Sequence, residues 1–381
     1  MNILFLSTHL NTGGITSYLL TLSQGLIKKG HRVFLATSGG EMVGAFKSLG
    51  ADHLPLNIRT KSELDLRIYF ALKLLQRLIQ DQRIDIVHAQ TRITQVMGFC
   101  LKKRCRVPYL STCHGFFKRR LVRRIFPCWG DSVIAISEAV RDHLLRDFEV
   151  AAPQAVLIKN GIDTEQFSAV DEETKDKNRV ALKLNHGPVI GIVARLSAVK
   201  GHEILIAAMK KIISQFPQTQ LLIVGEGRTK DGLQALTREF QLEDHVRFYP
   251  VVHRTPEVLS LLDVFVMPSF QEGLGLSVME AQAMGLPVVA SKVGGIPQLI
   301  EDGTTGLLVP PRNADLLAEA ILLLLRHPQK AQEMGERARA FIQKECSAHV
   351  MVEQTIRLYE RLLVMGAPTE RRGAPLGIRH E

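Results

Sequence analysis

The segment from residue 271 to 291, QEGLGLSVMEAQAMGLPVVAS, contains two glutamates, Glu272 and Glu280, around a glycine turn that leads into a short helix and a buried strand. In that turn, Gly273, Leu274 and Gly275 let backbone N–H groups approach a ligand without large side chains in the way. A helix that begins after such a turn directs the positive end of its dipole at the same place, which favours an anion. A carboxylate at Glu280 would accept hydrogen bonds from hydroxyl groups. The segment therefore predicts a site for a phosphate beside a ribose, as found in a sugar nucleotide.

The same residues also fit a structural pattern. Ser277 followed by Glu280 matches a capping box, in which a serine caps the helix and a glutamate three residues later returns the hydrogen bond. The segment alone leaves both interpretations open.

A family resemblance supports the functional interpretation. The pattern E-G-x-G-x-x-x-x-E from Glu272 to Glu280, followed by A-x-A-x-G-x-P-V-V-A, resembles the signature of family 4 glycosyltransferases of the GT-B fold. The resemblance covers the chain to about residue 345. It implies an α/β protein with two Rossmann-like parallel-sheet domains facing a cleft, and the transfer of a sugar, with retention, from a nucleotide-diphosphate donor. It also implies that Glu272 contacts the transferred sugar and that Glu280 binds the ribose hydroxyls.

Two cations follow the strand predicted at 189–194. Arg195 lies at its end, and Lys200 lies in the loop that enters the next helix. The carboxyl ends of strands are where open α/β sheets bind ligands, so cations there suit a diphosphate. The alternative, a solvated loop charge, fits Lys200 better than Arg195. The resemblance implies that both cations hold the diphosphate. Gly225 ends another strand, and it either contacts the donor or simply makes a turn.

The first half of the chain offers two further candidates at strand ends. Gly13 and Gly14 open a helix after the first strand, where backbone amides can bind phosphate, although glycine is common at any such turn. His114 follows the strand predicted at 108–113, where a lone histidine is more often structural than catalytic. The resemblance implies that the glycine loop lies near the donor phosphate or sugar and that His114 contacts the donor sugar.

No Asp-x-Asp pattern, the usual metal-binding signature of the other large glycosyltransferase fold, occurs in the chain. We therefore expect no metal and no other cofactor, since the nucleotide sugar is a substrate. Arg195, Lys200 and helix N-termini would supply the positive charge that a divalent ion supplies elsewhere.

A chain of 381 residues usually divides into two domains, and strands alternate with amphipathic helices in both halves. We expect an N-terminal acceptor-side domain over 1–165 and a donor domain over 166–345. A C-terminal helix over 346–365 would pack back on the N-terminal domain, and 366–381 would form a disordered tail. Strands are predicted at 3–7, 31–37, 84–88, 108–113, 132–136, 155–158, 189–194, 221–224, 246–249, 264–268, 287–291 and 306–309.

Charge and cysteine content suggest where the protein acts. Between Met1 and Glu165 there are 23 Lys+Arg and 13 Asp+Glu, so this half carries the whole net charge of +10. No apolar run reaches the roughly 18 residues of a membrane span, and no secretory leader is evident. The five cysteines form no C-x-x-C pair, which predicts neither a zinc site nor a disulfide framework. A cytoplasmic protein is expected.

The segment 116–126 predicts a basic amphipathic helix. At 100° per residue, one half carries Phe117 with other apolar side chains, and the other half carries four arginines, Arg119, Arg120, Arg123 and Arg124. Such a helix suits adsorption to an anionic membrane surface. The alternatives are a helix packed on its own domain and a grip on a phosphorylated acceptor. Nucleic acid is not expected as a partner, because the aromatic residues are bunched in this one segment.

These features predict a retaining glycosyltransferase that uses a hydroxyl of a lipid-linked or cell-surface polysaccharide or lipopolysaccharide as its acceptor. A sugar-nucleotide epimerase or a phosphorylase of similar fold is the alternative, although the sequence places neither a pyridoxal phosphate lysine nor a phosphate site for a phosphorylase. Where relatives often have Phe-x-Gly, this chain has Phe248-Tyr249-Pro250-Val251, so recognition of the base departs from the family pattern. The donor sugar and the nucleotide are left open.

Overall fold

The computed structural model describes residues 1–60, 62–63, 65–119, 121–167, 170–250 and 255–366. The chain forms two compact units. Unit 1 contains Met1–Ile136, Arg141–Ile158 and the C-terminal segment that begins at His349; unit 2 contains Ser137–Val140 and Lys159–Ala348. Arg120, Val251 and residues 367–381, on which sequence predictions fall, lie outside the described residues.

The first part of the chain alternates strands and helices. Its elements are β1 (Asn2–Leu6), α1 (Gly14–Lys28), β2 (Arg32–Thr37), α2 (Val43–Ser48), β3 (Asp52–Pro55), α3 (Leu66–Asp81), β4 (Ile86–Ala89), α4 (Arg92–Cys105), β5 (Tyr109–Cys113), α5 (Leu121–Ile125), β6 (Ser132–Ala135), α6 (Glu138–Phe148) and β7 (Ala155–Leu157).

The second part repeats this alternation. Its elements are α7 (Glu172–Ala181), β8 (Val189–Val193), α8 (His202–Ile213), β9 (Gln220–Val224), α9 (Lys230–Glu239), β10 (Val246–Tyr249), α10 (Thr255–Leu259), β11 (Val264–Met267), α11 (Leu276–Ala283), β12 (Val288–Ser291), β13 (Leu307–Val309), α12 (Ala314–Arg326), α13 (Pro328–Glu345) and α14 (Ala348–Gly366).

Each unit is built on one parallel sheet. The strand order is β3-β2-β1-β4-β5-β6-β7 in unit 1 and β10-β9-β8-β11-β12-β13 in unit 2. In each sheet, the second and third strands of the unit lie on one side of the first strand, and the later strands lie on its other side. The strands on both sides pair with the first strand in parallel. The predicted α/β class with two Rossmann-like sheets is confirmed, and every predicted strand forms to within two residues.

Strand β3 was not predicted. Its sequence, Asp-His-Leu-Pro, has no apolar alternation, and it lies at the edge of the sheet, where β2 is its one partner among the described strands. An edge strand tolerates Pro55 because one side of its backbone is not hydrogen-bonded within the sheet. Tertiary pairing, not local propensity, makes this segment a strand.

The C-terminal helix α14 belongs to the core of unit 1. Val352, Leu358 and Tyr359 are buried in the same apolar cluster as Ile3 of β1 and Leu19 of α1. The close approach of α1 and α14 explains the glycine at position 25, where a Cβ would overlap the side chain of Val352. None of the helices among the described residues is long and apolar enough to cross a membrane.

Candidate active site

The carboxyl edge of the unit 2 sheet brings together most of the predicted donor residues. Strands β9, β8 and β11 are neighbours, so the loops that follow them lie side by side. These loops carry Gly225, Arg195 with Lys200, and Glu272, respectively. The carboxyl edge of a doubly wound sheet is the usual ligand-binding edge.

Lys200 and Glu272 form an ion pair between Nζ and Oε2. Their side chains are only 19% and 13% exposed, and Ser269 Oγ lies 3.4 Å from the same carboxylate oxygen. The two loops are joined by a hydrogen bond of 2.8 Å from Phe270 N to Val199 O. Lys200 is therefore held against the loop after β11, and its description as a solvated loop charge is wrong.

Arg195 is the more exposed of the two cations, and no ion pair is recorded for it within the described chain. Its loop is fixed by backbone contacts, since Leu196 N donates to Glu226 O at 2.9 Å. A Cβ at Gly225 would overlap the carbonyl oxygen of Ala194, and one at Gly227 would overlap that of Leu196. The close approach of the two loops accounts for both glycines, which set the position of Arg195.

The loop that carries Glu272 is supported by Gly294 and Gly295, which were not predicted from the sequence. Gly295 N donates to Glu272 O at 3.2 Å. Gly294 has a φ of 54°, and a Cβ there would overlap Glu272 O. The signal was present in the sequence as a Gly-Gly pair after β12, a further glycine turn at the same sheet edge.

Substitution of Gly294 by alanine is expected to destabilise unit 2 by about 1–3 kcal/mol and to displace Glu272, because the new Cβ meets backbone and the left-handed φ is strained. Thermal unfolding measures this change. Gly232→Ala on α9 is the matched control: its Cβ has open space, so stability is expected to stay equal or to rise by up to about 1 kcal/mol. A Gly294→Ala variant as stable as the wild type would contradict the prediction.

Helix α11 begins at Leu276 and takes Gly275, with a φ of 109°, as its N-cap. Ser277 is already inside the helix, so the capping-box interpretation is wrong. The structural reason is that the glycine turn places the N-cap at Gly275, two residues before the serine. No hydrogen bond is recorded in the described chain for the N–H groups of Leu274 and Gly275, and the first turn of a helix leaves further amides without intrahelical acceptors. Amide groups at the start of a helix are a common place for an anion to bind.

Glu280 lies one turn into α11 and is half-buried. Among the described residues, no hydrogen bond or ion pair is recorded for its carboxylate. Burial raises the pKa of Glu280 from 4.5 to about 7. A half-buried carboxylate without a partner can accept hydrogen bonds from a ligand that carries adjacent hydroxyl groups.

The carboxyl edge of the unit 1 sheet carries the other predicted residues. Gly13 is the N-cap of α1, and a Cβ at this position would meet only open space. His114 follows β5; its Nε2 lies 2.8 Å from Gln90 Oε1, and its ring meets Tyr18 of α1 edge-on at 5.0 Å. Burial lowers the pKa of His114 to about 3, so the imidazole is neutral at pH 7. Gly14, the first residue of α1, and His114 thus lie at one end of this sheet.

The basic segment 116–126 differs from its prediction. Among the described residues of this segment, only Leu121–Ile125 is helical, as α5. Arg123 is 8% exposed, and its guanidinium lies 3.9 Å from the ring centre of Phe117 and 5.5 Å from that of Trp129. Ile125, assigned to the apolar half of the helix, is 72% exposed. The predicted separation of an arginine face from an apolar face is wrong, because stacking on aromatic rings draws Arg123 inward.

The other arginines of this segment take different partners. Arg119 forms an ion pair with Asp147, and Arg124 forms one of 2.9 Å with Glu149.

In the described part of the chain, no group of three His, Cys, Asp or Glu side chains is placed to hold a metal ion.

Both halves of the chain match family models of glycosyltransferases. Residues 174–341 match the family model "Glycosyl transferases group 1", and residues 12–166 match "Glycosyltransferase Family 4". The chain is 30% identical over 308 residues to the alpha-maltose-1-phosphate synthase of Mycolicibacterium smegmatis, covering 73% of this chain and 79% of that protein. It is 25% identical over 365 residues to a D-inositol 3-phosphate glycosyltransferase of Corynebacterium glutamicum, covering 86% and 87%.

The solved structures extend the similarity to the fold. Anabaena HepE, crystallised in complex with UDP-glucose, superposes with a TM-score of 0.85 at 22% identity, covering 95% of this chain and all of that one. Similarity at this level of identity shows the fold, and the predicted GT-B architecture is confirmed.

Proposed function

Because the chain belongs to the group 1, family 4 glycosyltransferases, we propose that it transfers a sugar from a nucleotide-diphosphate donor to a hydroxyl of a lipid-linked or cell-surface glycan. The observation that carries this proposal is the ion pair of Lys200 with Glu272 beside the N-terminus of α11, with the exposed cation of Arg195 on the neighbouring loop. Together they provide positive charge and hydrogen-bond donors for a diphosphate, next to a carboxylate for a sugar.

In the proposed complex, Arg195, Lys200 and the amides at the start of α11 bind the diphosphate, while Gly225 sets the position of Arg195. Glu280 accepts hydrogen bonds from the ribose hydroxyls, which suits its carboxylate without a recorded partner. That the structurally similar HepE was crystallised with UDP-glucose supports a sugar nucleotide as ligand.

We propose that Glu272 contacts the sugar that is transferred; its carboxylate pairs with Lys200 and lies near Ser269 Oγ, in the loop that leads to α11. In unit 1, the loop of Gly13 and Gly14 and the neutral His114 offer hydrogen-bonding groups to the donor sugar. A neutral imidazole can donate one hydrogen bond and accept another. Gln90 holds Nε2 of His114, so Nδ1 is the ring nitrogen left for the sugar.

The reaction breaks the bond between the anomeric carbon and the diphosphate oxygen and forms a bond between that carbon and the acceptor oxygen. The acceptor's hydroxyl proton passes to the departing diphosphate. We propose that the configuration is retained, and that Arg195 and Lys200 stabilise the charge that develops on the leaving group without a metal or other cofactor.

A surface of unit 1 supports a membrane-bound acceptor. We define the apolar–cationic surface by Leu66, Tyr69, Phe70 and Leu74 of α3, Phe99, Lys103 and Arg104 of α4, and Val122, Ile125 and Phe126 of the α5 segment. The α3 side chains are 47–75% exposed. Contacts join its parts: Arg104 lies over the ring of Tyr69, and Phe99 meets both Lys103 and Phe126. Exposed apolar side chains among cations suit the interface of an anionic bilayer.

The double variant Phe70→Ser and Ile125→Ser is expected to lower partitioning onto anionic vesicles at low salt by at least about tenfold, because these side chains are 63% and 72% exposed and would lose apolar area to bury. Sedimentation with phosphatidylserine-containing vesicles measures this. Val180→Ser is the control, since Val180 is 77% exposed on α7 of unit 2. Wild-type protein that stays in the supernatant would contradict the membrane proposal and leave a phosphorylated acceptor as the partner of these cations.

The transferase activity is tested with a panel of UDP-, GDP- and ADP-sugars, by measuring nucleoside diphosphate release with and without membrane extract. Release for one donor, stimulated by the extract, is expected. An epimerase would convert the donor sugar without an acceptor, and a phosphorylase would depend on added phosphate. If no donor is turned over and Glu280→Ala leaves nucleotide affinity unchanged, the proposal fails.

A further inference from the structure

A chain of polar side chains runs through the core of unit 1 toward His114. The hydroxyl of Tyr359 on α14 lies 2.7 Å from His88 Nδ1, and His88 Nε2 lies 2.7 Å from Thr112 Oγ1. Thr112 Oγ1 is in turn 3.4 Å from the hydroxyl of Tyr18. The ring of Tyr18 meets the His114 imidazole edge-on, with 5.0 Å between the ring centres.

The burial of this chain makes each hydrogen bond hard to replace. His88, Thr112 and Tyr359 have no exposed surface, and Tyr18 is 1% exposed. Burial, with a smaller effect from His114, lowers the pKa of His88 to about 3, so its ring is neutral at pH 7. A neutral imidazole bonds to two hydroxyls only if one of them donates and the other accepts. Removal of either hydroxyl leaves a buried ring nitrogen without a partner.

Tyr18 links this chain to the candidate site. The Nε2 atom of His114 is held by Gln90 at 2.8 Å, while the ring of Tyr18 closes one side of the imidazole. Fixing the Tyr18 hydroxyl therefore fixes the surface against which His114 packs. Groups that act on a substrate need such support, because a displacement of about 1 Å can lower the rate by about 100-fold.

We propose that the hydrogen-bonded chain Tyr359–His88–Thr112–Tyr18 positions the imidazole of His114, so that the C-terminal helix controls the geometry of the donor-sugar contact. This inference rests on the proposed function, in which His114 contacts the donor sugar. Tyr359, His88 and Thr112 are positioning residues, since all three are fully buried and act through Tyr18.

The test is Tyr359→Phe, which removes one oxygen atom from the far end of the chain. With the donor identified from the panel, kcat is expected to fall about tenfold while the donor KM stays unchanged. In a His114→Ala background the same substitution is expected to cause no further fall, because its effect passes through His114. A purely structural role would lower kcat by the same factor in both backgrounds, and that result would overturn the proposal.

Tyr109→Phe is the matched control. Tyr109 is also fully buried in unit 1, and its single hydroxyl proton is shared between Gln95 O at 3.0 Å and Cys128 O at 2.8 Å, outside the chain that leads to His114. This variant is expected to lose stability and to keep the wild-type kcat. A fall in kcat equal to that of Tyr359→Phe would show that loss of any buried hydroxyl suffices, and would also overturn the proposal.

A second measurement separates failure of this inference from failure of the proposed function. In protein labelled with ¹⁵N-histidine, Tyr359→Phe is expected to shift the ring signals of His114, assigned from their absence in His114→Ala, whereas Tyr109→Phe leaves them in place. If no donor is turned over, this spectrum still decides: shifted signals support the positioning chain, and unchanged signals refute it.

Discussion

Replacement of Lys200 by methionine is expected to lower kcat/KM by about 10²–10³-fold, the usual effect of removing one preorganised group that stabilises developing charge. Lys200 is paired with Glu272 and is only 19% exposed, so its ammonium is already in place before the leaving group departs. The change should appear chiefly in kcat if the cation acts on the transition state, and chiefly in KM if it only binds the donor. Steady-state kinetics with the identified donor distinguishes the two.

Lys211→Met controls for the loss of a lysine from the same region. Lys211 lies on α8 and pairs with Glu319 at 2.8 Å, but these side chains are 37% and 57% exposed. Exposed pairs contribute little, so this variant should retain wild-type activity and stability. Equal losses in Lys200→Met and Lys211→Met would contradict a specific role for Lys200.

The pair itself is examined by a double-mutant cycle with Glu272→Gln. Since the two side chains are in contact, their effects on kcat/KM are expected to be strongly non-additive, with the double variant little worse than the poorer single variant. Strict additivity would mean that Lys200 and Glu272 act on different parts of the reaction.

Glu280→Gln is expected to weaken nucleotide binding by about 10–100-fold at pH 8, since hydrogen bonds to a charged group contribute about 1.5–3 kcal/mol each. Ribose hydroxyls donate to the ionised carboxylate, and burial raises the pKa of Glu280 to about 7. Wild-type affinity should therefore fall as the pH drops below 7, by up to about tenfold per unit. Calorimetric titration in buffers of different ionisation enthalpy should detect proton release on binding near pH 7, and the glutamine variant should show neither effect.

The same shift gives the folding stability a defined pH dependence. Because the folded-state pKa of Glu280 is raised above 4.5, the folded protein holds this proton more tightly than the unfolded chain does. The contribution of this bound proton to the free energy of unfolding is present at low pH and is lost as the pH rises from 4.5 to about 7. Without ligand, Glu280→Gln should therefore be more stable than the wild type at pH 8, by up to about 3 kcal/mol, and similar to it at pH 4. A variant less stable at pH 8 would show that the carboxylate has a structural partner.

Strand positions could be predicted from the sequence because buried parallel strands are short apolar runs bounded by turns, as in residues 189–193 and 264–267. The exception is the strand Asp52–Pro55. It forms because it pairs with β2, and its own four residues do not show the apolar pattern of a strand. Site residues at strand ends could be predicted for the same reason, because topology brings all carboxyl ends of a parallel sheet to one edge.

Side-chain environments could not be predicted in this way. Lys200 matched a solvated charge in sequence but lies under the loop of Glu272, a contact between segments 72 residues apart. Arg123 matched the polar face of a helix, yet Phe117 and Trp129 stack on it. The Gly-Gly pair that includes Gly294 indicates a turn in the sequence, but it does not identify Glu272 O as the atom that this glycine approaches. Each of these three environments depends on how loops or aromatic rings pack against one another. The periodicity of apolar residues along the sequence carries no information about that packing.

The place of α14 in the core of unit 1 has a consequence for synthesis on the ribosome. Residues of unit 2 between Lys159 and Ala348 emerge as one uninterrupted stretch, whereas the core of unit 1 lacks Val352, Leu358 and Tyr359 until this whole stretch has been translated. The unit encoded second can thus complete its core before the one encoded first. A nascent chain stalled before residue 349 would expose the apolar surface of α1 and β1 that α14 later covers, so the addition of α14 closes the core of unit 1.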